Sequence, residues 1–171
     1  MTTMPKQLQF LVADVAEVTK GRRSRLIPAV CSKGFAILAW YRLNRALFDR
    51  LGDRWSVARV ALSPLMPLVR LFVASELDYR ADIGPGLRLL HPDLGYVVGG
   101  QVKLGRNVIL AGGNAVGDGA AVLGDFVQLG IGASVLGPVT LGSHVIVGAG
   151  AVVVEDFAGP GTLVGVPAVP V

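Results

Sequence analysis

Residues 121–153 read AVLGDFVQLGIGASVLGPVTLGSHVIVGAGAVV. Within them Leu123, Leu129, Val135, Leu141, Val147 and Val153 stand six residues apart. The series extends backward through Val116, Leu110, Leu104, Val98, Leu89 and Ile83. Its spacing is six except for seven between Val116 and Leu123 and nine between Leu89 and Val98. In eight of the twelve cases glycine follows, as in Leu104-Gly105 and Leu123-Gly124. Two positions earlier the residue is usually Ala or Val, such as Ala81, Val102, Val108 and Ala121. A period of six fits neither the 3.6-residue helix nor a sandwich, whose strands recur every ~8–12 residues. It suits a short strand and a corner, repeated, with three sides closing a coil of about eighteen residues. One such coil cannot bury its own apolar face, so coils stack and like side chains form ladders. The expectation is a mainly β solenoid of about four coils, with glycine at the corners to permit positive φ.

Outside the repeat the physics changes. Residues 1–80 hold 13 of the 16 Lys and Arg but only 3 of the 23 glycines. The chain therefore divides into an N-terminal helical segment, 1–75, and a solenoid domain, 76–171. Residues 33–50 show helical periodicity, with Ile37, Trp40, Tyr41, Leu43, Leu47 and Phe48 near one face. Gly52 ends this helix, Asp53 caps a second one from Arg54, and Pro64 and Pro67 kink that. Residues 1–26 read as loosely structured, with the basic run 20–25 solvated. The arginines along 42–70 are placed to snorkel around an apolar stripe. That stripe has three candidate partners: the solenoid, a second subunit, or an anionic membrane surface touched peripherally.

Composition excludes several classes. With 52% hydrophobic and 16% charged residues, the 171-residue chain is not disordered. Cys31 stands alone, which forbids an intrachain disulfide and fits a reducing, cytoplasmic compartment. The apolar stretch at 10–12 runs into Asp14 and Glu17, too short and too acidic for an export signal. Residues 126–154 contain no Asp, Glu, Lys or Arg, yet their six glycines and Pro138 argue against a membrane helix. Basic residues without an aromatic platform exclude a nucleic-acid partner. One Cys and two His supply no zinc cluster, so no metal is expected.

The six-residue pattern resembles the hexapeptide-repeat acyltransferases, which are left-handed parallel β-helices. Within them, residues 76–171 resemble the serine O-acetyltransferase family. Ile83-Gly84-Pro85-Gly86-Leu87-Arg88-Leu89-Leu90-His91 is similar to its I-G-x-G-(I/L)-x-(L/I)-D-H. Val97-Val98-Gly99, the run 147–154 (VGAGAVVV) and Gly165-Val166-Pro167-Ala168 match further family segments. The resemblance implies an O-acetyltransferase that uses acetyl-CoA, assembles as a homotrimer or a dimer of trimers, and acts on a small hydroxyl acceptor. It also implies that Gly112, Gly113, Gly148 and Ala149 border the acetyl-CoA. The departures concern the acceptor. The family's Asp before the histidine is Leu90 here, and its Arg-His pair in an extended loop is replaced by Gly119 and Ala120. Serine itself is therefore in doubt, and a sugar or another small hydroxyl compound is the preferred acceptor. The alternative is a catalytically inactive solenoid serving as a structural or binding subunit.

His91 is the candidate general base. A hydroxyl attacking a thioester must lose its proton as the bond forms, and imidazole, with a pKa near 6.5, suits that task. A carboxylate on the other ring nitrogen would fix the tautomer. The resemblance points to Glu76, fifteen positions earlier, with Asp78 and Asp93 as alternatives. Backbone N–H groups at Gly112-Gly113 are candidates for holding the oxyanion. His144, at a repeat corner, reads as surface or trimer-interface decoration.

Overall fold

The computed structural model describes residues 4–65, 75–117 and 119–171. Pro67 and Arg70 lie outside the described residues. Among the described residues four helices come first: α1 (Lys6–Thr19), α2 (Leu26–Val30), α3 (Lys33–Leu51) and α4 (Asp53–Ala61). Short strands then wind in five coils, one more than the repeat suggested. The first coil holds β1 (Glu76–Leu77), β2 (Asp82–Ile83) and β3 (Arg88–Leu89). The second holds β4 (Tyr96–Val98), β5 (Lys103–Leu104) and β6 (Ile109–Leu110). The third holds β7 (Asn114–Val116), β8 (Val122–Leu123) and β9 (Gln128–Leu129). The fourth holds β10 (Ser134–Val135), β11 (Thr140–Leu141) and β12 (Val145–Val147). The last has β13 (Val152–Val153), a single bridge from Phe157 to Leu141, and β14 (Gly161–Val164), closed by the antiparallel β15 (Val169–Pro170).

The coils stack in register to form three parallel faces. Ile83 lies under Leu104, Leu123 and Leu141; Leu89 lies under Leu110, Leu129, Val147 and Leu163. Every aliphatic residue of the six-residue series but Leu89 is buried, as are Ala81, Val102, Val108 and Ala121 beside them. Each large ladder side chain contributes about 1.5–3 kcal/mol of apolar burial. Residues 126–154 form strands β9 to β13 with their intervening corners. Among the described residues no single helix is long and apolar enough to cross a membrane.

Gly86, Gly132, Gly137 and Gly150 take positive φ at corners as expected, but the glycines that directly follow the aliphatic series serve a different purpose. Gly105 and Gly124 have no positive φ. A Cβ on Gly105 would lie 2.5 Å from Asp125 Oδ1 and 2.7 Å from the Gly124 carbonyl carbon, and one on Gly124 would lie 2.7 Å from Ser143 N. These glycines are required because neighbouring coils approach backbone to backbone. Two residues further along the same corners the positive φ falls on side-chain-bearing residues: Asn107, Phe126 and His144. His144 is exposed and stacks on Phe126, with ring centroids 4.9 Å apart.

The N-terminal segment departs from the sequence reading in several ways. Residues 6–19 are helical rather than loosely structured. The buried stripe of α1 is marked by Gln7 and Asp14, which are polar, so apolar periodicity does not reveal it. α3 starts at Ser32, whose Oγ accepts a hydrogen bond from Phe35 N at 3.1 Å. It buries Ile37, Leu38 and Tyr41 in the solenoid core, while Leu43 faces outward. Asp53 sits in the first turn of α4 rather than capping it. Pro64 lies in a 3₁₀ turn just after α4, and Arg22, Arg23 and Arg25 are exposed as expected.

Arg42 is not a snorkelling residue. It is 2% exposed and pairs with the fully buried Asp14, Nε to Oδ2 at 3.0 Å. Its remaining N–H groups donate to the carbonyls of Ile83 at 2.6 Å and Gly84 at 2.7 Å. Asp14 Oδ1 in turn accepts from Gly86 N and Leu87 N. Burial pushes the Asp14 carboxyl above its ordinary value, against the pull of Arg42 and of those two amides. Removing one partner of such a pair strands a buried charge. Asp14→Ala should therefore cost about 3–5 kcal/mol in denaturant unfolding.

Tyr41 gives a second expectation. Its hydroxyl donates to Ala81 O at 2.7 Å, and burial pushes its pKa up to about 12. The folded chain keeps a proton that the unfolded chain releases near pH 10. Stability should fall as pH rises from about 10 to about 12, by an amount approaching 2–3 kcal/mol. Tyr41→Phe should flatten that part of the stability–pH curve, measured by chemical denaturation.

Candidate functional site

The chain passes from the third face to the first at corners that stack on one another. His91 occupies the lowest. Its N–H donates to Ala111 O at 3.1 Å; one coil on, Gly132 N donates to Gly112 O at 2.8 Å, and then Gly150 N to Ile131 O at 2.8 Å. His91, Gly112, Gly113, Gly148 and Ala149 thus lie along a single edge of the solenoid. Gly148 and Ala149 sit three coils from His91, about 14 Å at ~4.8 Å per coil. An extended ligand lying along this edge could touch both ends.

Local structure holds His91 outward. It is exposed and precedes a 3₁₀ turn, Pro92–Leu94, in which Leu94 N donates to His91 O at 3.1 Å. Pro92 supplies no donor, and Gly95, at φ 73, reverses the chain into β4. The start of α3 braces this turn. Lys33 forms an ion pair with Asp93, and a Cβ on the buried Gly34 would lie 3.6 Å from Leu89 O.

Gly112 packs against His91 from the coil above. At φ +133, a Cβ there would sit 3.0 Å from His91 O and 3.1 Å from His91 Cβ. Its place is fixed by Asn114, a residue not singled out in the sequence reading. The buried Asn114 side chain accepts from Gly112 N at 2.8 Å and donates to Gly130 O at 2.7 Å and Ala133 O at 3.1 Å. The signal was present: Asn114 occupies a position where the repeat normally carries Ala or Val. These bonds correct one expectation. Gly112 N is held by Asn114, and Gly113 N donates to Gly95 O at 2.8 Å, so neither amide is free to hold an oxyanion. What Gly112 offers is close backbone approach.

The carboxylates sort differently. Asp93 is occupied by Lys33, and Asp78 Oδ1 accepts from Arg80 N at 2.8 Å within its own turn. Glu76 lies on β1, outward-facing and paired in register with Val97 of β4, the strand that follows the His91 turn. Among the described residues no hydrogen bond joins Glu76, Asp78 or Asp93 to His91. Gly119 and Ala120 form a short turn between β7 and β8, on a different edge from His91. Among the described residues no three His, Cys, Asp or Glu side chains come together to hold a metal ion.

Comparison with known proteins gives the family. Residues 120–154 match the family described as bacterial transferase hexapeptide (six repeats). The serine acetyltransferase of Helicobacter pylori is 34% identical over 165 residues, covering 92% of each chain. That of Synechococcus elongatus is 31% identical over 169 residues, covering 92% of this chain and 66% of its own length. The crystal structure of Neisseria gonorrhoeae serine acetyltransferase in complex with serine superposes with a TM-score of 0.79 at 30% identity, covering 96% of this chain and 69% of that one. A serine acetyltransferase in complex with CoA gives 0.81 at 26% identity, covering 98% of this chain and 70% of that one. By its left-handed parallel β-helix, its glycine-spaced ladders and these similarities, the chain belongs to the serine acetyltransferase family of hexapeptide-repeat transferases.

Proposed function

We propose that this protein is an acetyl-CoA-dependent O-acetyltransferase in which His91 is the general base. The observation that carries this reading is the edge itself. An exposed imidazole stands beside the side-chain-free Gly112, in line with Gly148 and Ala149, in a family with members solved with serine and with CoA. The acetyl donor lies along that edge, its thioester next to Gly112. His91 takes the proton of the acceptor hydroxyl as that oxygen attacks the thioester carbonyl. The tetrahedral intermediate then collapses, the C–S bond breaks, and the imidazolium returns the proton to the CoA sulfur. Glu76 is the carboxylate left to support the imidazolium, since Asp78 and Asp93 are engaged elsewhere.

The acceptor is a small hydroxyl compound other than free serine. Serine brings an ammonium and a carboxylate, and Leu90, the residue before His91, pairs with neither. The assembly is a homotrimer. Its support is an apolar outer surface, with Leu136 and Val154 exposed one above the other at one corner and Ile131 exposed at another. The exposed, free thiol of Cys31 supports a reducing, cytoplasmic setting.

His91→Ala should lower kcat for CoA release at least about 100-fold. Because His91 is exposed, the same variant should unfold within about 1 kcal/mol of the parent. Wild-type turnover in His91→Ala would remove the histidine from the mechanism. With serine as acceptor, kcat/KM should stay below about 10⁴ M⁻¹s⁻¹, the low end for efficient enzymes.

A further inference from the structure

The elbow between α1 and α3 exposes apolar side chains ringed by cations. Lys20, at φ 48, and Gly21, at φ 72, end α1 and turn the chain. A 3₁₀ turn at Arg23–Arg25 leads into α2. α2 is five residues long, too short to hold itself in water, and the body of the protein fixes it. Ala29 is buried, Pro28 lines a cleft with Phe35 of α3, and Ser32 Oγ donates to Ala29 O at 2.7 Å. The other side of α2 is bare. Leu26, Ile27 and Val30 fall within an arc of about 100°, at ~100° per residue. All three are exposed, and Ile27 is 77% exposed. Adjoining exposed apolar side chains with a polar rim mark a contact surface.

The rim has one sign. Lys20, Arg22, Arg23 and Arg25 are exposed, and among the described residues none of them pairs with a carboxylate. No Asp or Glu occurs between Glu17 and Asp49. α4 also exposes Val57 and Val60, but there Asp49 and Asp53 alternate with Arg50 and Arg54.

These features decide among occupants. A second copy meeting this surface face to face would set the cations against their own like, with no carboxylate in the segment to offset them. The fold excludes a membrane span. α2 and α3 together are long and apolar enough, but they bend by 73°, and α3 buries Ile37, Leu38 and Tyr41 in the solenoid core. A surface of phosphate head groups fits both the rim and the apolar centre. The four cations meet lipid phosphates, and Leu26, Ile27 and Val30 sink to the boundary with the acyl chains.

We propose that the elbow between α1 and α3 is a membrane-contact surface, holding the protein on anionic phospholipid bilayers through Leu26, Ile27 and Val30 and the cations of residues 20–25. The proposal does not depend on the role of His91.

The test uses the full chain with vesicles of phosphatidylcholine alone or of an equal mixture of phosphatidylcholine and phosphatidylglycerol. Cosedimentation gives the affinity, and a polarity-sensitive fluorophore on Cys31, the single cysteine, reports contact beside α2. The parent should bind the mixed vesicles at least about tenfold more tightly than the neutral ones, with a blue-shifted label, and added salt should weaken binding. Arg23→Gln should weaken it about fivefold, the effect of one cation at an anionic surface. Ile27→Ser should weaken it at least about tenfold. Both positions are exposed, so thermal unfolding and CoA release in solution should match the parent. Val57→Ser, on the mixed-charge patch, should bind as the parent does. Failure of the parent to bind mixed vesicles at low salt overturns the proposal. Equal binding to both kinds of vesicle, or binding that neither Arg23→Gln nor Ile27→Ser alters, overturns it as well. A larger species in light scattering that Ile27→Ser splits, without vesicle binding, would assign the surface to a second copy and overturn it. Binding to heparin that Ile27→Ser leaves unchanged, again without vesicle binding, would assign the cations to a soluble polyanion and overturn it too.

Discussion

The buried Arg42–Asp14 pair closes the open end of the solenoid. A stack of parallel coils ends in peptide groups that have no further coil to bond, and these would invite another chain or cost desolvation. Here the helices supply the missing partners. Arg42 takes the carbonyls of Ile83 and Gly84, Asp14 takes the amides of Gly86 and Leu87, and Tyr41 with Arg45 takes Ala81 O. The two ions neutralise each other, and the bonds they make to the first coil are charge-assisted. α1 and α3 both reach the first coil through this pair.

That docking also shapes the site. With α3 fixed by Arg42 and Tyr41, its N-terminal end falls on the corner after β3. Gly34 permits the close approach to Leu89, and Lys33 reaches Asp93 beyond the histidine. The turn at 92–94 is therefore held between a helix on one side and the Gly112 corner on the other. A cleft lined by Val15, Val18, Phe35 and Leu90 is what remains between α1, α2, α3 and this turn. The cap and the turn that carries His91 are parts of one arrangement.

The glycine ladders reflect a separate necessity. Coils stacked at the spacing of hydrogen-bonded strands bring backbone atoms over the corner residues, and a Cβ at Gly105 or Gly124 has no room. The strained corner torsions fall elsewhere, on Asn107, Phe126 and His144. The same scarcity of space acts at Gly112, where the neighbour is His91 rather than another repeat corner. A structural rule of the repeat has there become a condition for a ligand to come close.

The solenoid was legible because its cause is local and repeated. One aliphatic residue every six positions allows no other regular burial, and the glycine after it marks the corner. His91 was legible for the same reason, as a polar residue breaking into an apolar, glycine-spaced run beside a familiar motif. The sequence by itself therefore determined the coils, their ladders and the identity of the candidate base. It did not reveal α1, whose buried stripe is carried by Gln7 and Asp14 and makes sense only opposite Arg42. Nor did it show that Asn114 occupies the Gly112 amide, that Asp78 and Asp93 are engaged elsewhere, or that Leu90 faces a cleft. Those depend on residues far apart in the chain meeting in space. Only the tertiary structure decided them, because a buried charge or amide takes its role from its partner and not from its position in a repeat.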